Sequence, residues 1–257
     1  MEPQSLAANR GWQWIKQGYV LFMKAPLLWV VILLICLAAA TALSAVPVVG
    51  EPLASLLLPV LLAGLMAGCR ALEQGDELEL AHLFGGFQKH ATRLIALGGI
   101  ALVGQFMIFG AMIMVGGTTL VGILTSGQPV EDPEIMRQAI TEAPVAVLLG
   151  MALFSVLTMA MQFAPMLVYF NNATPAAAMK LSLRAFLVNI GPMLVYGATF
   201  MVLAILATIP MMLGWLVLMP IIFTSLYACY CDIFPVAKEV APPPVENDAF
   251  TPDRDAF

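Results

Sequence analysis

Residues 11–46 run GWQWIKQGYVLFMKAPLLWVVILLICLAAATALSAV. The first half is loaded with rings and cations: Trp12, Trp14, Lys16, Tyr19, Phe22 and Lys24. The second half, from Leu27 to Val46, carries no charge. A bilayer core needs about 20 predominantly apolar residues in a helix, and this run has that length. It is longer than the ~7–15-residue core of a secretory signal peptide. Although Ala40-Thr41-Ala42 fits a small-x-small cleavage pattern, the run is therefore expected to stay as a membrane span.

The same test along the rest of the 257 residues gives six spans: about Leu27–Val46, Leu53–Ala71, Leu94–Val115, Val145–Phe170, Met193–Ile209 and Leu213–Ile233. The composition agrees. The chain is 61% hydrophobic and 11% charged, against about 45–50% and about 25% for a soluble domain. The expected fold is an all-α polytopic membrane bundle of six transmembrane helices, with amphipathic helices lying at one interface. The third run continues past Gly116-Gly117 to Thr125, too long for one upright helix, so it either tilts or turns along the far interface.

The basic residues set an orientation. With the N-terminus inside, the inner loops hold Arg10, Lys16, Lys24, Arg70, Lys89, Arg93, Lys180, Arg184, Lys238 and Arg254, and the outer side holds Arg137 alone. Short cytoplasmic loops carry the Lys/Arg excess, so both termini are expected in the cytoplasm. The sizeable outer loop, Ser126–Pro144, is acidic, and a short amphipathic helix is expected from Pro133 with Asp132 as its cap.

On a helical wheel Trp12, Ile15, Tyr19 and Phe22 share a face while Gln13, Lys16, Gln17 and Lys24 fall on another. That is the pattern of a helix lying in the headgroup region. Pro26 then turns the chain into the membrane and Trp29 anchors the span. The expected interface anchors are Trp12, Trp14, Lys16, Tyr19, Lys24 and Trp29, with Lys180 and Arg184 on a later copy. That copy starts at Thr174-Pro175 and meets its span at Pro192, as the first does at Pro26. A middle copy is expected over Gly75–Arg93, capped by Asp76. The outer hairpins also resemble one another, each followed by a proline-bearing helix: Pro59, Pro165 and Pro220. The chain thus divides into a tail (1–9), a membrane domain (10–235) and an acidic, proline-rich tail (236–257). The membrane domain has three parallel two-span units, about 10–73, 76–171 and 174–233.

Chemistry is sparse. No ionisable residue lies in the middle of a span, where such groups mark function. Gln105 and Gln162 are the costliest polar side chains to expose to lipid. They either line a cavity or bond between helices. Gly64 and Gly68 form a small-xxx-small pattern for close helix approach. Neither GxSxG nor HExxH occurs, and no phosphate-binding glycine loop precedes a Lys-Ser/Thr pair. His82 and His90 lack ligand-spaced neighbours, and Cys36, Cys69, Cys229 and Cys231 serve as small apolar fillers. Hence no catalytic residue, metal or cofactor is assigned and no enzyme is expected. No basic stripe points to nucleic acid. The expected partners are membrane lipids, and a cytoplasmic protein engaging the tail with its two Asp-Ala-Phe repeats at 248–250 and 255–257.

The stretches GWQWIKQGYVLFMKAPLLW (11–29), PVVGEP (47–52) with LLLPVLLAG (56–64), and RALEQGDELELAHLFGGF (70–87) resemble an uncharacterised group of proteobacterial six-span inner-membrane proteins. The amphipathic segment followed by an Asn/Pro junction also resembles the YciC-type membrane proteins. The resemblance implies a bacterial cytoplasmic membrane and carries no substrate or catalytic residue. Two functions follow as expectations: an accessory or scaffold in envelope or lipid homeostasis, or a transporter or lipid-handling protein with a mid-membrane cavity.

Overall fold

The computed structural model describes residues 2–46, 48–126 and 133–235. The acidic tail from 236 and the expected cap Asp132 lie outside the described residues. Every regular element among these is helical. Six are long and apolar enough to cross a membrane: Pro26–Ser44, Gly50–Gln74, Ala91–Met114, Pro144–Asn171, Ile190–Thr208 and Trp215–Ile233.

The first helix is α1 (Arg10–Met23), capped by Lys24 and followed by Ala25. A residue before proline is pushed out of the helical region, and Ala25 sits at φ −149°, ψ 56°. Pro26 is then the first residue of α2 (Pro26–Ser44), where its missing N–H costs nothing. The device recurs at Ala143-Pro144 and Thr174-Pro175. The second span, α3 (Gly50–Gln74), stops at left-handed Gly75, and the Asp76 N–H reaches back to the Ala71 carbonyl at 2.9 Å. Such a closure satisfies carbonyls a helix end would leave bare.

The segment after α3 departs from expectation. It is not one amphipathic helix capped by Asp76. Residues 76–79 are non-helical, Leu80–Phe84 form a 3-10 turn behind Glu79, and α4 (Gly85–Gln88) is a single turn. Left-handed His90 (φ 61°) separates it from α5 (Ala91–Met114). Packing explains the break. At Gly64 an added Cβ would lie 2.5 Å from the His82 carbonyl oxygen, at Gly68 2.6 Å from Leu78, and Gly86 abuts the Val60 backbone. This segment is pressed onto α3 more closely than a regular helix with side chains permits.

The long third run breaks at Gly116 (φ 95°), and α6 (Thr118–Thr125) turns away. Of the two expected outcomes, tilting or turning, the chain turns. The amphipathic α7 (Pro133–Glu142) folds back, and a satellite core of Ile108, Met112, Leu120, Val121, Ala139, Ala143 and Ala146 joins α5, α6, α7 and the next span. On α7, bonding to the Arg137 guanidinium holds the Glu134 carboxyl below the usual carboxylate range.

The fourth span is two helices, α8 (Pro144–Gln162) and α9 (Ala164–Asn171), broken at Phe163 ahead of Pro165. Buried Ser182 bridges the break: its Oγ accepts from the Phe163 N–H at 3.0 Å and donates to the Met159 carbonyl at 2.7 Å. Ser182 belongs to α10 (Pro175–Val188), which leads into α11 (Ile190–Thr208) and α12 (Trp215–Ile233). Pro192 sits in the first turn of α11, while Pro59 and Pro220 are buried inside α3 and α12. Pro59 frees the Ser55 carbonyl from its ladder bond, and α5 crosses there with Gly98, whose added Cβ would lie 2.6 Å from that oxygen.

The contacts form a cycle. The 80–88 segment lies on α3, α10 lies on α8 and α9, and α1 lies on α12. The 80–88 segment and α10 thus pack on the span that precedes each in the chain, and α1 packs on the last span and closes the circle. All three meet the spans at the end that carries Arg10, Glu73, Asn171, Asn189 and Asp232, here called the proximal end. There Phe163, Phe170, Tyr227, Tyr230 and Phe234 pack ring against ring, with centroids 5.4–6.3 Å apart, and the Arg70 guanidinium lies 5.2 Å from the Phe170 ring.

Gly64→Val is expected to cost about 1–3 kcal/mol through overpacking, seen as a lower Tm in detergent. Gly110→Ala, with nothing within 4 Å of its added Cβ, is expected to leave Tm unchanged or raise it slightly. Equal Tm values for the two variants would contradict the close approach at Gly64.

Candidate functional site

The most elaborated surface is α1 and what it rests on. Gly11 abuts the Pro192 and Tyr196 backbone of α11, and an added Cβ at Gly18 would lie 2.6 Å from Ser225 of α12. The Thr224 hydroxyl donates to the Gly18 carbonyl at 2.9 Å, and the Tyr196 and Ser225 hydroxyls are 2.8 Å apart. At the proximal end Asp232 gathers donors. Arg10 bonds it through Nε at 2.6 Å and through Nη2, and the Trp14 indole N–H donates at 2.8 Å. Gln13 holds the remaining arm of Arg10 at 2.6 Å. The far end of α1 is tied by Lys24, whose ammonium donates to the Leu72 carbonyl at 2.5 Å.

This geometry corrects two of the expected anchors. Trp14 is fully buried, edge-on to Tyr196 at 5.9 Å, so it is a core side chain. Trp29 is buried inside the bundle. The face of α1 that meets protein is Gly11, Trp14, Ile15, Gly18, Leu21 and Phe22. Two glycines let a helix dock closely, so the wheel's aromatic face is split. Trp12 and Tyr19 point outward at about half exposure, 45% and 50%, with the Lys16 ammonium 5.3 Å from the Trp12 ring centroid. Lys180 and Arg184 are exposed on α10, and Arg184 pairs with Glu2 at 3.2 Å.

Gln105 and Gln162 are not brought together around a cavity. Gln105 is on the exposed side of α5, and Gln162 is half-buried at the α8–α9 break. The cavities lie elsewhere. One, of about 710 Å³, is a triangular groove bounded by α1, α11 and α12, with Trp12, Lys16 and Tyr19 on one side and Leu203, Leu206 and Val217 among the rest. Another, of about 350 Å³, is an apolar slot between α2, α3 and α12.

Three polar residues of the proximal lattice carry no motif. Buried Asn189 accepts from the Leu6 N–H at 2.9 Å and donates to the Gln4 carbonyl at 2.8 Å, which pins the N-terminal segment to the α10–α11 junction. The Tyr227 hydroxyl donates to Glu73 at 2.6 Å, and the Tyr230 hydroxyl donates to Asn171. Asp232 did have a signal: a carboxylate ending an otherwise uncharged apolar run needs a partner.

A chain of six apolar helices knit together by interfacial segments at one end is a polytopic helical membrane protein. No protein-family model matches it, and no solved structure matches it. It is 30% identical over 267 residues to the probable inner membrane protein BTH_II0599 of Burkholderia thailandensis, with 94% of this chain and 97% of that protein covered. The chain belongs to the family of that inner-membrane protein and is itself a multi-pass inner-membrane protein.

Hydrogen bonds to a charged group contribute about 1.5–3 kcal/mol each. Asp232→Ala is therefore expected to lower stability by at least ~2 kcal/mol and to raise amide hydrogen exchange across residues 10–23, leaving α5 protected. Unchanged exchange in α1 would show that Asp232 does not hold it.

Proposed function

We propose that this chain is a non-enzymatic accessory protein of the bacterial cytoplasmic membrane that serves envelope or lipid homeostasis by holding lipid at its proximal end. The α1 groove carries the reading. Its walls are apolar, which suits acyl chain, while Lys16 with the Trp12 and Tyr19 rings lies along α1. A cation flanked by half-exposed rings is the chemistry of the headgroup boundary. Arg10 is spent on Asp232 and Lys24 on a carbonyl, so Lys16 is the α1 cation turned outward.

The orientation belongs to the same proposal: the proximal end, with both termini, faces the cytoplasm. Ten of the eleven basic residues then lie inside, and Lys16 meets the anionic cytoplasmic leaflet. The acidic segment 236–257 would engage a cytoplasmic protein. The three-unit division and the kinship with YciC-type proteins, carried by Asn189 and Pro192 at the α10–α11 junction, complete the reading. The alternative, lipid passage through a mid-membrane cavity between Gln105 and Gln162, loses its motive because these residues lie apart from both apolar cavities.

In nanodiscs of phosphatidylethanolamine and phosphatidylglycerol, native mass spectrometry is expected to find phosphatidylglycerol retained. Lys16→Gln should weaken its retention about five-fold, the worth of roughly 1 kcal/mol per surface cation. Retention unchanged by both Lys16→Gln and Trp12→Ala would end the groove reading. For orientation, a membrane-impermeant maleimide applied to intact spheroplasts should label Glu142→Cys and spare Lys180→Cys. The reverse pattern would invert the topology.

A further inference from the structure

The slot between α2, α3 and α12 is distinct from the α1 groove and needs an occupant of its own. It is long and narrow. Its lining on α2 runs from Trp29 to Leu43, and on α3 from Leu65 back to Ala54. Fourteen residues of helix rise ~21 Å, so the slot runs most of the way along the span. Its walls are leucine, alanine and isoleucine, with Pro220 and Phe223 of α12 closing one side.

The α2 span is the least buried of the six, at 11% against 17–22% for three others and 44% for α3 and for α12. On α2 the buried residues are Trp29 and Ile32, both near the proximal end. An apolar space of this size stays dry. Left empty, it also forfeits the dispersion contacts of everything lining it. Within a bilayer the filler at hand is an acyl chain.

A second observation points to the same ligand. The Trp29 indole N–H is buried and has no hydrogen-bond partner, alone among the side-chain polar atoms of the described residues. Trp29 is 1% exposed and lines the slot at its proximal end. A buried donor left unmade costs about 1–3 kcal/mol, and nothing on the neighbouring helices satisfies it. Trp29 lies one turn into α2, a depth of ~5 Å from the span's start. That is where a phospholipid bears its ester carbonyls, strong acceptors with no donor of their own.

We propose that the α2–α3–α12 slot binds one diacyl phospholipid of the proximal leaflet. One acyl chain lies along α2 from Trp29 toward Leu43, and its ester carbonyl accepts the Trp29 N–H. Binding requires the ring to shift enough to open its N–H to the slot. The proposal goes beyond the accessory reading and stands without the α1 groove.

The test uses the full chain in nanodiscs containing a phosphatidylethanolamine with brominated acyl chains, read by native mass spectrometry after delipidation. Wild type is expected to retain one phospholipid per chain beyond any held by Lys16. Ala40→Phe, which fills the slot from α2, should reduce that retained fraction at least ten-fold. Ala54→Leu, filling it from α3, should do the same if the first variant fails to fold. Trp29→Phe keeps an aromatic side chain and removes the N–H, so it should weaken retention about five-fold. Retention equal to wild type in both slot-filling variants would overturn the slot, as would a free fatty acid as the retained mass. Loss with Lys16→Gln but not with Ala40→Phe would leave the α1 reading standing and sink this one. Loss with Ala40→Phe but not with Lys16→Gln would do the opposite.

Discussion

Apolar helices in hydrocarbon gain nothing by hiding apolar surface from lipid, which is as apolar as they are. Association rests on close packing and on hydrogen bonds between helices, so this bundle depends on where its backbones can touch. Those places are few and are made by small residues. Gly18 meets Ser225, Gly64 meets the His82 and Leu83 carbonyls, Gly86 meets the Val60 backbone, and Gly98 rests on the carbonyl freed by Pro59. At the α8–α9 break a serine does the same work with two hydrogen bonds. Each is a point where an interfacial segment or a neighbouring span lands on a proline-bearing helix. The prolines and the small residues are therefore parts of one device: proline bends or breaks the span, and the small residue lets another backbone approach it.

The device is concentrated at one end. The aromatic core, the Asp232 cluster, Asn189 and the Tyr227–Glu73 pair all lie proximally. The first hairpin opens away from that end, while α5 to α8 are covered distally by their own satellite core of α6 and α7. Burial is uneven among the spans: 44% for α3 and α12, and 11–22% for the other four.

The spans, their number and the helices α1 and α10 were legible in the sequence because run length and period survive any tertiary arrangement. The boundaries set by Pro26, Pro144 and Pro175 were legible for the same local reason. The 75–93 segment departs from a regular helix although Leu80, Leu83, Phe84 and Phe87 keep a helical period, because Gly85-Gly86 give the chain freedom to leave it. Only the presence of α3 underneath decides the matter. Trp14 was not legible as a core residue because an interfacial ring and a core ring look alike in a sequence. The deciding facts are Gly11 and Gly18 on the same side of α1, and an acceptor some 200 residues away at Asp232. Gln105 and Gln162 illustrate the converse. Their cost in lipid marks them as unusual without saying where they point.

The two lipid contacts proposed here share a mechanical link. α1 is fixed to α12 through Asp232 and to α3 through the Lys24–Leu72 bond. Lys24 is separated from Pro26, where α2 begins, by a single residue. The direction in which α2 leaves the proximal end is therefore set by how α1 sits. α2 has little else to hold it beyond Trp29 and Ile32. The slot's proximal mouth is then rigid and its distal part compliant. An acyl chain entering it would move α2 rather than α3 or α12, and the displacement would be felt first at the Ala25-Pro26 junction. On this geometry, occupancy of the slot and the seating of α1 are coupled through one proline, with no need for a path through the core.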